Sequence, residues 1–564
     1  MDDYTKEEER IRNLLLDVLD SNQDDQVDLF GDNEEENEED IVENSDHNSE
    51  TDESADEELT SVPPIASSSE LPYLFGKDST TKWFSHCPRQ NVRARRQNIV
   101  THLPGVKAQA KQASTPIESW SLFFQNSTLE KIVAYTNQWI SAHRVNYSRE
   151  RDAQDTNISE IKALFGLLYL AGVLKSSHEN LDDLYAKDGT GVEFFITTMP
   201  LRRFRFLLTA LRFDDMLTRD ERKKIDKMAP IRDIFENFNT CCKNNYSIGE
   251  YTTIDEMLES FRGRCSFRVF MKSKPAKYGI KIFALCDARI FYAANMEVYT
   301  GQQPIGPFQQ NNTPHQIVLR LVEPISGTGR NVTTDNWFSS IPLAEELQHQ
   351  RLSLVSTLRK NKREIPVVFS EGKHREECSS LFAFGENMTL LSYVPKKNRV
   401  VILLSSMHFS DAIDETSGEA KKPEMLTFYN LTKGGIDTMD EMKAAYSVSR
   451  KTNRWPLALF YAMMNIGGVN SYIIFQANTQ KNITRREYLK ILAKQLCLDH
   501  MTARITLKNL PKELKANIRK LAGIPEEPPA RRAATTQSGR CVFCTRKENR
   551  KTRYTCRTCH KFVC

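Results

Sequence analysis

The apolar positions of this chain change rhythm several times. Residues 1 to about 70 have almost no rhythm: Asp, Glu, Asn and Ser dominate and aromatics are scarce. Such a mixture buries too little apolar surface to offset chain entropy, so a disordered segment is expected. Within it, Ile11, Leu14, Leu15 and Val18 have helical spacing, which predicts either a partner-docking helix over Ile11–Asp20 or a weakly formed one. From about residue 115 to 250 the period is helical. Leu129, Ile132, Val133 and Thr136 fall on one face, and ISEIKALFGLLYLAGVL and MPLRRFRFLLTALRF read as further helices. The apolar run Leu164 to Leu174 is too short to span a bilayer and predicts a buried helix.

At residue 251 the period shortens. YTTIDEML, FRVFMK, GIKIFALCDA and IFYAANMEVYTG are short β-branched or aromatic runs broken by Gly, Pro, Lys and Ser, which predicts strands. TPHQIVLRLVEPI then reads as a helix, NVTTDNWFSS as a strand leading into the helical IPLAEELQHQ, and LSLVSTL as another strand. Acidic residues stand at the ends of the first and fourth strands, in what reads as a mixed α/β sheet. Residues 361–425 read as all-β without a helix, and are taken as an insertion. NLTKGGIDTMDEMKAAYSV restores a helix that begins at Gly434 and Gly435. The organisation is multidomain α+β: tail (1–70), basic linker region (71–109), helical part (110–250), α/β core in two pieces (251–360 and 426–447) around the insertion (361–425), second helical part (448–525), linker (526–539) and cysteine-rich end (540–564).

Charge sharpens this division. Residues 1–60 carry 25 Asp/Glu against 3 Lys/Arg, a charge of −22, so a whole-chain charge of +3 leaves +25 on residues 61–564. A basic body suits a polyanion, most simply nucleic acid. The stretch QNVRARRQNIV (Gln90–Val100) adds to it, and Arg202, Arg203, Arg205 and Arg212 interleave with Phe204, Phe206 and Phe213. Arginines among aromatics can hold phosphates on one face and pack on the other, a pattern shared with amphipathic surface helices. Ser49 and Ser54 each have an acid three places on, as acidophilic kinases prefer, or belong to an unmodified solvating tail. Seven of the twelve cysteines are scattered, which argues against a disulfide framework. MDDYTKEEER lacks the basic start and apolar core of a signal peptide, so a soluble intracellular protein without a membrane partner is expected.

The candidate chemistry is acidic. Asp255, Asp335 and the pair Asp437/Asp440 lie in three well-separated segments, and a two-metal phosphoryl-transfer site needs carboxylates gathered from distant elements around ions about 3.5–4 Å apart. Asp437 and Asp440 are three residues apart and share a helix face, with Met439, Met442 and Tyr446 on the packing side. Hard oxygen ligands suit two Mg²⁺ or Mn²⁺ ions. Asp287 also sits near a strand, so spacing alone does not select the set.

The surrounding blocks do. TIDEMLESFRGRCSFRVFMKSKPAKYGIKIFALCD, NVTTDNWFSSIPLAEEL, STLRKNKREIP and YNLTKGGIDTMDEMKAAYSVSRKTNRWPLALFYAMMNIGGVNSYIIF closely resemble, in the same order, blocks of piggyBac-family DNA transposases, over about residues 115 to 475. The resemblance implies that Asp255, Asp335 and Asp437 are the catalytic aspartates, with Asp440 an additional acid at the site. It implies an RNase H-like core carrying the β-rich insertion, and a helical dimerisation and DNA-binding domain assembled from 110–250 and 448–525. The protein implied is a nuclear homodimer acting on double-stranded DNA: transposon terminal repeats and a TTAA target. Its cut-and-paste reaction is a nick by hydrolysis, a hairpin formed by the freed 3′-hydroxyl, hairpin opening and strand transfer. Every step is an in-line attack on a phosphodiester, so one two-metal site serves throughout.

Arg359 and Lys362 match family positions associated with target DNA, and Arg450, Lys451 and Arg454 follow the Asp437 helix, where they can hold phosphates. Trp455 reads either as a stacking platform for an unpaired hairpin base or as a core aromatic. At the end, Cys541-x₂-Cys544 and Cys556-x₂-Cys559 have zinc-ribbon or knuckle spacing, and so small a segment needs Zn²⁺ to fold. In the resembled family this module is a cross-brace whose ligands alternate between two zincs. The sequence stops at Cys564, so either His560 and Cys564 complete a reduced set or the module is incomplete, and which four residues share a metal stays open. Basic residues around it, among them Arg546, Lys547 and Arg550, suit DNA phosphates or nuclear import. Two other functions compete: a domesticated DNA-binding protein that keeps the fold without the reaction, and an RNase H-like nuclease without strand transfer, which leaves the extra DNA-binding segments unexplained.

Overall fold

Leu129, Ile132 and Thr136 are buried along one stripe of α1 (Asn126–His143), with Val133 at its margin, as their spacing predicts. In α2 (Ile158–Val173) nearly every side chain is buried, and Asn157 caps it by accepting from the Glu160 amide. α3 (Leu201–Ala210) buries Phe204 and Phe206. Its arginines are held by acids: Arg203 lies 2.7 Å from Glu160, Arg205 2.6 Å from Asp182 and Arg202 3.1 Å from Asp152. Arg212 lies over the Trp139 ring. This computed structural model describes residues 42–44, 73–87, 99–177, 179–525 and 534–564. The helix expected at Ile11–Asp20, Ser49, Ser54 and the basic stretch through Asn98 lie outside the described residues.

The period-two region builds the sheet. β1 (Tyr251–Ser260), β2 (Arg268–Phe270), β3 (Tyr278–Asp287) and β4 (Ala293–Val298) pair antiparallel, with β3 flanked by β1 along its length. Helix α4 (Pro314–Val322) then leads to β5 (Asn331–Thr334), which joins β1 in parallel, and α5 (Ile341–His349) carries the crossover to β6 (Ser353–Thr357), parallel to β5. The α4 and α5 helices bury Ile317, Val318 and Leu321, and Leu343, Ala344 and Leu347, which is the one-sided burial expected of helices covering a sheet.

The β-rich stretch after residue 361 extends this same sheet. β7 (Ser380–Phe384), β8 (Thr389–Lys396) and β9 (Arg399–Ser405) form an antiparallel meander, and β9 pairs with β6. The expectation of no helix there needs correction at both ends, since Val367–Ser370 is helical and α6 begins at Glu424 (Glu424–Thr432). Short strands at Tyr73–Phe75 and Lys82–Phe84 continue the sheet beyond β7, and Val42–Asn44 pairs in parallel with β2 at the opposite edge. Helix α7 (Gly435–Ala445) follows α6 directly, and α8 (Trp455–Thr479) is apolar all round. By length and hydropathy α8 could cross a membrane, but 94% of its most apolar window is buried within the protein, as in a soluble protein's core helix.

Around α8 the two helical stretches become one layer. Phe460 stacks on Phe213 at 4.5 Å and meets Phe165 at 5.2 Å, and the Tyr169 hydroxyl donates to the Met464 carbonyl. Asn470 exchanges two hydrogen bonds with the Ala293 backbone, fixing α8 to β4. These contacts belong to the first of two compact units, Met1–Cys497; the second is Leu498–Cys564. In the second unit, Lys512–Ala522 is helical with a left-handed Gly523 at its end, and Ala534–Arg540 pairs antiparallel with Lys551–Tyr554.

Candidate active site

Strand register brings the first two aspartates together. β5 pairs with β1 so that Thr333 is opposite Thr253 and Thr334 opposite Ile254. Asp335 is the next residue, beside Asp255, on strands about 4.8 Å apart. Side chains alternate along a strand, so Asp255 shares a face with Thr253, and Asp335 with Thr333. Both threonines turn to the end of α6: Thr253 donates to the Thr432 carbonyl at 2.6 Å, and Thr333 to the Thr432 hydroxyl at 2.8 Å. Asp255 is therefore mid-strand rather than at a strand end. It lies at the level where its shorter neighbour β5 stops and the sheet opens.

The third acid arrives from above. Gly435, the first residue of α7, packs so closely on β1 that a Cβ there would stand 2.6 Å from the Thr253 hydroxyl and 3.2 Å from the Ala288 Cα. That contact seats the first turn of α7 over the strand carrying Asp255, and Asp437 is two residues on. Met439 and Met442 are buried beneath the helix, while the Asp437 side chain is 63% exposed. Asp335 is anchored locally, its carboxylate accepting from the Trp337 amide at 3.0 Å and its carbonyl from the Ser339 hydroxyl. Asp255 accepts from the Glu256 amide at 2.8 Å.

Charges that the sequence did not single out surround these acids. Lys274, in the turn between β2 and β3, lies 3.3 Å from Asp437. Burial pulls its ammonium down, but the charges of Asp255, Asp437, Glu256 and Asp440 outweigh this and leave it raised. Glu256 is buried, and burial first, with Asp335 adding, pushes its carboxyl up to about 7. The Tyr429 hydroxyl is raised by burial, with the charges of Asp335, Asp255 and Asp437 adding. Lys281 is buried among the rings of Tyr299, Phe283 and Trp337, within 6 Å of each centroid. Sequence pattern gives no handle on these residues: Glu256 adjoins Asp255, and Lys274 is one of 77 basic residues.

Asp440 has a structural partner. Its carboxylate meets Lys443 at 2.8 Å, and the same buried ammonium is bonded to Glu259. Burial lowers Lys443, while Asp440 and Glu259 more than offset it. The acids of the site offer only oxygen donors, which fits Mg²⁺ or Mn²⁺ rather than a thiophilic metal. Among the described residues, groups of three ligand atoms all within 4.8 Å occur only at Cys541, Cys544 and Cys564, so the carboxylates are spread more widely than the ligands of one closed ion site.

The basic candidates separate. Arg359 follows β6 and donates to Asn336 at 3.5 Å, with Lys362 in the next turn. Arg450 and Arg454 differ from the expectation of phosphate-holding groups. Arg450 donates to the Ser176 and Glu179 carbonyls, and Arg454 to those of Leu208, Thr209 and Leu211, so both clamp backbone. Lys451 is exposed between them. Trp455 is 1% exposed with its ring edge-on to Phe267 at 4.9 Å, which leaves no open face for a base and corrects the stacking alternative.

In the terminal unit, each Cys-x₂-Cys turn directs backbone amides at its first sulfur. Amides of Cys564 and Phe543 pull the Cys541 thiol down to about 6, and those of Cys559 and Thr558 lower Cys556. Cys564 joins the first turn: its amide is 3.2 Å from Cys541 Sγ and its sulfur 3.3 Å from Cys544 Sγ. Cys556 and Cys559 stand outside the group formed by Cys541, Cys544 and Cys564. His560 bonds through its backbone to the Cys556 carbonyl and takes a left-handed φ of 54°. Three thiols converging on one point suit Zn²⁺.

With this geometry in place, a family model described as Transposase IS4 matches residues 115–472. PiggyBac transposable element-derived protein 3 of Homo sapiens is 23% identical over 359 residues, which cover 60% of this chain and 58% of that protein. PiggyBac transposable element-derived protein 5 of Homo sapiens is 18% identical over 384 residues, 66% of this chain and 73% of that protein. The cryo-EM structure of a piggyBac transposase synaptic complex with hairpin DNA aligns with a TM-score of 0.70 and 37% identity, covering 82% of this chain and 98% of that one. The chain thus spans a little over half the length of the first of these relatives.

Proposed function

The chain belongs to the Transposase IS4 family in its piggyBac branch, and on that premise we propose that it is a cut-and-paste DNA transposase acting at TTAA sites. The observation that carries the reading is the register of β5 on β1, which sets Asp335 beside Asp255, under a helix whose glycine start brings Asp437 over them. Asp255, Asp335 and Asp437 would hold two Mg²⁺ or Mn²⁺ ions, with Asp440 in reach, and the ions would supply an activated oxygen nucleophile and charge neutralisation at the leaving oxygen. The protein's own groups do the positioning. The Thr253, Thr333 and Thr432 contacts lock strand to helix, Trp337 and Ser339 fix Asp335, and Arg359, which bonds Asn336 next to Asp335, with Lys362 would meet target phosphates. The same side-chain set serves nicking, hairpin formation and joining, because each is an in-line attack on a phosphodiester.

The further parts follow from the same reading: a nuclear homodimer on double-stranded DNA, with a Zn²⁺-loaded terminal unit that reads the transposon ends. The names of the human relatives, transposable element-derived proteins, favour a second reading, a domesticated DNA-binding protein without the reaction. An excision assay on an element with matching terminal repeats separates them. The first reading expects excision that restores TTAA and is lost in Asp255→Asn. Binding to the ends without cleavage in Mg²⁺ or Mn²⁺ supports the second and overturns the first.

A further inference from the structure

Two lysines, one buried and one partly exposed, divide the charge of the acidic site between them. Lys443 is 6% exposed and tied to two carboxylates, Asp440 and Glu259, on neighbouring elements. It is a fixed part of the packing between α7 and β1. Lys274 is held differently. Its backbone is fastened in the Met271–Lys277 turn: the Met271 amide donates to the Lys277 carbonyl at 2.7 Å, the Lys277 amide to the Lys274 carbonyl at 3.1 Å, and Lys277 takes a left-handed φ of 56°. Its side chain, 18% exposed, runs back under the turn to Asp437, which is 63% exposed, at 3.3 Å. Asp255, Glu256 and Asp440 are the other acids whose charge it feels. An ordered backbone thus delivers an ammonium to Asp437, where it also feels the charge of Asp255. The contact is long for a charge-assisted bond, about 2.7–2.9 Å being usual, and one partner is open to solvent.

We infer that Lys274 is a resident cation of the carboxylate site, a positioning residue that holds Asp437 toward Asp255 in the metal-free protein and must yield these carboxylates to a divalent ion. The inference rests on the reading of the acids as metal ligands. It gives the site two properties. The charge of Asp437 is partly neutralised before metal arrives, which reduces its repulsion with the other acids of the site. Metal affinity is set below what the same carboxylates would show alone, because each binding event must displace an ammonium. Lys443, doubly tied, is not displaced in the same way.

Mn²⁺ binding to the full chain, followed through the free-ion electron paramagnetic resonance signal without DNA, tests this. Wild type is compared with Lys274→Met, Lys274→Gln, Lys274→Arg and Asp437→Asn, each checked by circular dichroism and melting without Mn²⁺. The two neutral variants are expected to bind Mn²⁺ roughly three- to tenfold more tightly, the scale of removing one partly screened charge a few ångströms away. Lys274→Arg is expected to stay near wild type and Asp437→Asn to bind more weakly. Unchanged or weaker binding in whichever neutral variant folds overturns the inference while leaving the metal reading intact. Wild-type binding no stronger than that of Asp437→Asn removes the metal reading and the inference with it.

Discussion

The family was legible in the long, ordered blocks around Asp255, Asp335 and Asp437; among 74 acidic residues the acids alone single out nothing. What no pattern disclosed is the company they keep, since the positions of Lys274, Glu256 and Tyr429 depend on turns and register rather than on local sequence. Trp455 shows the opposite limit. A tryptophan after SRKTNR looks the same whether it stacks on DNA or packs in a core, and only its 1% exposure decides. Trp455→Ala is expected to destabilise the protein by about 3–5 kcal/mol, the usual cost of truncating a buried aromatic. Trp455→Phe is expected to keep both most of the stability and hairpin formation; thermal melting with a hairpin assay checks both. A Phe variant that is stable and nicks DNA but fails to form hairpins would restore the stacking role.

At the scale of elements, the helix that carries Asp437 depends on one missing Cβ. Alanine at position 435 gains about 1 kcal/mol of helix propensity, yet its methyl would meet the Thr253 hydroxyl at 2.6 Å. Overpacking of about 1–3 kcal/mol outweighs that gain. Gly435→Ala is therefore expected to melt earlier and to lose cleavage beyond what its stability loss explains, because Asp437 moves with the helix. The sequence marked Gly434 and Gly435 as a helix start but could not show that only Gly435 meets a wall; nothing crowds Gly434.

The β9–α6 junction carries a pH dependence. His408 lies beside Ser405 and Phe428, and burial pushes its imidazole down to about 4. The unfolded chain, titrating near 6.5, binds this proton more readily, so stability is full above pH 6.5 and falls as pH drops toward 4. A loss of about 1–3 kcal/mol attributable to this group is expected over that window. Denaturant unfolding of His408→Gln across the same range should show a shallower slope, by close to one proton. These strands were legible as β-rich; that they continue the catalytic sheet was not, because pairing of β9 with β6 is a long-range choice that alternation does not encode.

At the scale of the whole molecule, the charge division is the feature read most directly from sequence: −22 on residues 1–60 against +25 on the rest. Such a tail competes with phosphates for the basic body. Deleting residues 1–60 is expected to strengthen binding to random-sequence duplex at low salt, with the gain fading as salt screens both contacts. Equal affinities at low salt would contradict it. The terminal cysteines were legible in their pairing and illegible in their grouping, since spacing cannot say that Cys564 folds back beside Cys541 and Cys544.

The central claim is that three aspartates from β1, the end of β5 and α7 form one reaction centre for DNA. Single-turnover nicking of duplex carrying the element's end, in Mn²⁺, measured for Asp255→Asn, Asp335→Asn and Asp437→Asn beside wild type, tests it most directly when binding to the same DNA is measured in parallel. Each substitution is expected to slow nicking by about 100-fold or more, at least about 2.7 kcal/mol of barrier, while binding is retained. Wild-type nicking rates in any one of the three would contradict it.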